Sequence, residues 1–156
     1  MDGDKPIRYL GKFFSDDLKE TTNKDNIKGK LTDLLKKTDE TALTGPMKAW
    51  IYNFYIISKV SWELQVYEFP ITYIRDLESI INRYLKKWFK LARCASPTVI
   101  YRNTDNYGLG LKKLETVYKM LKVGNAHHLK YNPDSNCAAL YKAKMEKERS
   151  KSLEGI

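Results

Sequence analysis

Apolar residues in this chain recur three and four positions apart, segment after segment, and glycine or proline closes most of the segments. That spacing belongs to the α-helix, where positions i, i+3, i+4 and i+7 share one face. Ile27, Leu31, Leu34 and Leu35 form one such stripe, with Lys28, Lys30, Lys36 and Lys37 outside it. Thr44-Gly45-Pro46 ends that unit and opens the next, since Thr44 can cap and Pro46 sits in a first turn where its missing N–H costs nothing. From Gly45 to Val60 apolar residues surround most of the circumference, Trp50 and Phe54 among them, so the pattern predicts a central, nearly buried helix. Pro70 interrupts, and a third helix is expected over about 72–91, striped by Ile74, Leu77, Ile81, Tyr84, Leu85 and Trp88. Asp105 to Gly110 reads as a turn, with Gly108 and Gly110 able to take positive φ. Leu111, Leu114, Val117, Tyr118 and Leu121 mark a fourth helix with Gly124 as its stop, and a short helix is expected over 136–148.

The expected fold is therefore mainly α: a helical bundle of about four to five helices with one short N-terminal strand at Ile7 to Phe14. A lone strand leaves backbone donors and acceptors unpaired. Its partner is expected either in a second strand near Val99 to Arg102 or on polypeptide outside this chain, and the second alternative is favoured. Three segments follow: 1–22, a strand and loop; 23–125, the helical body; and 126–156, a basic tail, partly helical or disordered.

Composition narrows the classes. With 42% hydrophobic and 30% charged residues a packed core is attainable. No apolar run approaches the roughly 20 residues that span a bilayer, so no membrane role is expected. The N-terminus lacks a basic-then-apolar leader, and Cys94 and Cys137 have no Cys-x-x-Cys partner, which together suggest an intracellular protein, nuclear or cytoplasmic, with reduced thiols. The net charge of +9 is lopsided: residues 83–151 hold 16 basic side chains against 5 acidic ones. Such a field points to a polyanion, with phosphate backbones the first candidate.

Phe14-Ser15-Asp16-Asp17 has the F/Y-x-D-D form that holds two metal ions in polymerases, but no second strand follows and no further carboxylate is placed. The two aspartates read as solvated loop acids. His127-His128 with Cys137 or Asp134 fits no zinc spacing and reads as surface histidines. Gly108-Leu109-Gly110 ahead of Lys112 and Lys113 is half of a phosphate-cradling fingerprint and reads first as a plain turn. No nucleophile–base arrangement can be assembled, so no catalytic residue is assigned. Arg83, Lys86, Lys87, Lys90 and Arg93 form the stronger signal. Arg83, Lys87 and Lys90 fall at i, i+4 and i+7, so one edge of the third helix could follow a row of phosphates. The competing reading is a solvated face whose cations favour the helix C-terminus. Tyr84 and Trp88 are expected in the core and Phe89 nearer the surface.

The order of short motifs adds a resemblance. Tyr9-Leu10-Gly11-Lys12 is followed by Leu43-Thr44 with Lys48-Ala49-Trp50, then Leu85-Lys86-Lys87-Trp88, Ser96-Pro97 with Tyr101, and Tyr107-Gly108-Leu109-Gly110-Leu111 with Leu114. This resembles the region just after the palm in reverse transcriptases of non-LTR (LINE-like) retrotransposons, over about Ile7 to Val123. Leu91-Ala92-Arg93 stands where that family has Leu-Pro, and Tyr107 where it has a first glycine. The family's catalytic hairpin precedes Tyr-Leu-Gly, whereas Asp16 and Asp17 follow it.

The resemblance implies a C-terminal piece of an RNA-directed DNA polymerase: a helical thumb gripping an RNA–DNA hybrid or other template–primer duplex by its backbone. Arg83, Lys86, Lys87, Lys90, Arg93, Lys112 and Lys113 would touch nucleic acid. Tyr9, Leu10 and Gly11 would lie at the palm–thumb junction, with the rest of the polymerase chain as a partner. Magnesium would belong to the full-length polymerase, no cofactor is expected here, and the chain alone is expected not to polymerise. Two other classes stay open: a stand-alone basic helical module binding nucleic acid non-specifically, and a helical scaffold for an acidic protein partner.

Overall fold

The computed structural model describes the backbone of residues 7–9, 12–14 and 21–153 and the side chains of 23–146. The molecule is mainly helical. Where one unpaired strand was expected, two three-residue strands, β1 (Ile7–Tyr9) and β2 (Lys12–Phe14), pair antiparallel with Ile7 opposite Phe14 and Tyr9 opposite Lys12. The backbone partner is thus supplied a few residues downstream, and the 99–102 segment is not a strand but a helical turn. The inference of a missing partner strand loses its premise.

Helix α1 (Thr21–Glu40) buries Ile27, Leu31 and Leu35 of the stripe read from its period, with Leu34 half-buried at its edge. Helix α2 (Gly45–Ile51) passes through a π-helical segment (Tyr52–Ile56) into α3 (Ile57–Val66). In that segment the Ile57 N–H donates to the carbonyl of Tyr52, five residues back. The core side of this run is Ala49, Tyr52, Ile56, Ile57, Val60 and Leu64. Its other side faces solvent, which corrects the expectation of a nearly buried helix: Trp50 is 62% and Phe54 54% exposed. High apolar content identified the helix but could not say which faces the neighbours would cover.

Helix α4 (Ile71–Trp88) buries Ile74, Leu77, Ile80, Ile81, Leu85 and Trp88 against α1, α2 and α6. Gly45 is where α2 meets the end of α4, because a Cβ there would lie 2.2 Å from the Trp88 carbonyl oxygen. A short α5 (Thr98–Tyr101) and a 3₁₀ turn (Thr104–Asn106) lead to α6 (Leu114–Lys130), which packs on α3, α4 and α7 (Ser135–Leu153). Gly124 does not stop α6; the helix runs six residues past it. Positive φ falls on Tyr107 and Gly110 rather than on Gly108. Gly108 is needed for close approach, since a Cβ there would sit 1.9 Å from the Arg102 carbonyl oxygen. Among the described residues no helix is long and apolar enough to cross a membrane.

Candidate nucleic-acid interface

The basic half of α4 ends in a Schellman motif, and that motif sorts the cations. The Leu91 N–H donates to the Lys86 carbonyl at 2.8 Å and the Lys90 N–H to the Lys87 carbonyl at 3.1 Å. Lys90 occupies the left-handed position, φ 54°, that glycine usually fills. Lys90 therefore does not continue the Arg83–Lys87 row at i+7. The expectation of a helix to residue 91 fails here because nothing in Phe89-Lys90-Leu91 resembles a glycine stop.

Beyond the motif the chain folds back, and the Lys86 Nζ donates to the Arg93 carbonyl at 2.8 Å. The result is an open cleft of about 790 Å³ lined by Ser79, Asn82, Arg83, Lys86, Lys87, Leu91 and Arg93. No carboxylate lines it. A second hollow, between α1 and α4, shares Arg83 and Lys87 and brings in Lys28. Arg83 thus faces both hollows, and Lys28 joins the cluster from α1, 55 positions away in the chain.

The cations differ in how far they are committed. Lys87 pairs with Asp39 at 2.6 Å, and Asp39 also accepts the Trp88 Nε1–H at 2.9 Å. These donors hold the Asp39 carboxyl below its ordinary pKa, and the same pair raises that of Lys87. Arg83, Lys90 and Arg93 form no ion pair among the described residues. Their guanidinium and ammonium groups remain available to an anion. Tyr84 and Phe89 are half-buried and Trp88 is buried.

Lys112 and Lys113 do not line this cleft. Lys113 lies 3.3 Å from Glu115 and 3.6 Å from Glu78. Glu115 is further held by Lys119 at 2.6 Å and Arg75 at 3.6 Å, and these cations bring its pKa down to about 2. Lys113 therefore answers the Glu78 and Glu115 carboxylates and lies apart from the cleft cations. Lys112 sits over the Phe54 ring at 5.4 Å. The Gly108–Gly110 turn offers no phosphate nest. Gly108, Leu109, Gly110 and Leu111 N–H groups donate to the carbonyls of Asn103, Val99, Arg102 and Ile100, and the Lys112 N–H to Asn53 Oδ1. His127 stacks on Tyr131 with centroids 4.6 Å apart. No group of three or more His, Cys, Asp or Glu suited to a metal occurs among the described residues. Leu10, Gly11, Ser15, Asp16 and Asp17 lie outside the described residues, and of Tyr9 only the backbone is described.

Comparison of the chain with protein-family models, curated proteins and solved structures finds no significant match.

Proposed function

We propose that this chain binds the phosphate backbone of a nucleic-acid duplex at the C-terminal end of α4, as a thumb-like helical piece of a LINE-like RNA-directed DNA polymerase. The observation that carries the binding half is the cleft at Arg83, Lys86 and Arg93, where the two guanidinium groups form no ion pair among the described residues and no carboxylate lines the wall. A neutral or cationic ligand gains nothing there; a row of phosphates gains a cation at each step. The Asn82 amide, whose Oδ1 accepts from the Tyr101 hydroxyl, adds a donor of the kind that orients a backbone without reading bases. The polymerase half rests on the order of motifs from Tyr9-Leu10-Gly11 to Leu114. On this reading residues 23–125 are the thumb-like body, Tyr9 to Gly11 sit at a palm–thumb junction, and the catalytic carboxylates and magnesium belong to another part of the polymerase.

Two experiments test the two halves separately. Fluorescence anisotropy with RNA–DNA hybrids of unrelated sequence should give equal affinities that fall steeply with salt; a strong preference for one sequence would refute backbone gripping. Sequencing the transcript upstream should reveal F/Y-x-D-D between two apolar strands in the same frame. An extended frame without it would remove the polymerase assignment and leave a backbone-binding module.

A further inference from the structure

We propose that the exposed aromatic ridge of α2 and the π segment is a stacking platform for unpaired bases of a single-stranded nucleic acid. The ridge uses other residues than the duplex cleft and does not depend on it. Trp50 and Phe54 turn more than half of their surface to solvent, and their ring centroids are 5.1 Å apart at a 35° tilt. Tyr55, one position on, is 49% exposed. Solvent-facing aromatic rings on one rigid helix run are costly to leave bare, and their π faces accept any base.

Charge decides among possible occupants. From Thr41 to Trp62 the chain carries no acidic residue. The Lys112 Nζ lies 5.4 Å above the Phe54 ring and the Lys59 Nζ 5.5 Å above the Tyr55 ring. Neither lysine has a carboxylate partner among the described residues. Phe54 and Tyr55 thus each have an ammonium over the ring, the pairing that a base and its own phosphate require. A second copy of this chain docked through the same ridge about a two-fold axis would set these lysines against their own copies.

The test measures anisotropy of the full chain with a labelled twelve-nucleotide oligo(dT) and with a twelve-unit abasic phosphodiester. Trp50→Leu/Phe54→Leu keeps apolar bulk and removes the π faces. The double variant should bind oligo(dT) about 10- to 100-fold more weakly, with duplex affinity and circular dichroism unchanged. The wild type should bind the abasic chain as weakly as the variant binds oligo(dT). Unchanged oligo(dT) affinity in the variant, or equal wild-type affinity for the abasic chain, would overturn the proposal. So would a dimer in sedimentation that the variant abolishes, or tighter capture of an acidic amphipathic peptide than of oligo(dT). A wild type that binds oligo(dT) but not the duplex would refute the cleft and leave the ridge standing.

Discussion

Asp39 joins the stability of the fold to the charge of the proposed interface, so replacing it should move both in opposite directions. Its carboxylate is the acceptor for the indole N–H of Trp88, whose ring is 7% exposed, and the partner of the largely exposed Lys87. In Asp39→Ala the indole donor is left inside the protein without an acceptor, which costs about 1–3 kcal/mol. The Lys87 contact adds little, because an exposed ammonium recovers its hydration. For a chain of this size that loss corresponds to a fall in Tm of roughly 3–10 °C. Asp39→Asn keeps an acceptor for the indole and should fall by no more than a third of that. Both variants release Lys87. One further phosphate contact adds about 0.9 to the salt slope, on the order of fivefold tighter hybrid binding near 0.1 M salt. Differential scanning fluorimetry and a salt titration of the same preparations measure the two effects. If the Asn variant melts as early as the Ala variant, or if neither binds more tightly, Asp39 does not hold Lys87 out of the interface and the reasoning fails.

Lys90→Gly should raise stability by about 1 kcal/mol, because glycine adopts φ 54° without the Cβ penalty; a lower Tm would mean that the lysine side chain outweighs its backbone strain. Ile81→Ala should cost about 2–5 kcal/mol from a fully buried site, whereas Trp50→Ala should change urea stability by less than about 1 kcal/mol; the reverse ranking would place the ridge in the core. Glu115 has a folded pKa below its unfolded one, so its contribution is complete above about pH 4.5 and disappears as pH falls toward about 2. Acid melts of Glu115→Gln should therefore lose pH dependence in that window, and an unchanged acid profile would show that Lys113, Lys119 and Arg75 do not stabilise the carboxylate.

Much of the helical frame is legible in the sequence because burial and period coincide there. In α4, Ile74, Leu77, Ile81, Leu85 and Trp88 lie on one face and all are buried. Legibility ends where tertiary contacts decide. Trp50 and Phe54 carry the same hydrophobic signal as Tyr52 and Ile56, and only the packing of neighbours such as α1 shows which pair is covered. Gly124 has the composition of a stop, yet α6 continues because the helix is held by its neighbours. At the candidate site Arg83, Lys86 and Arg93 were visible as a charge cluster. Which of the surrounding lysines already answer a carboxylate was not, since Asp39 and Glu78 reach Lys87 and Lys113 from positions 48 and 35 residues away.

The most direct test of backbone gripping at the α4 cleft compares two double variants of equal charge change in a salt titration of an RNA–DNA hybrid. Arg83→Gln/Arg93→Gln empties the cleft of its guanidinium groups. Lys36→Gln/Lys37→Gln removes the same charge from α1, where both lysines already pair with carboxylates one helical turn away. The first should lower the slope of log K against log salt by about 2, one phosphate contact for each arginine, and the second should lower it by less than about 0.5. Equal changes in the two slopes would show that net charge alone attracts the duplex, and would contradict a positioned cleft.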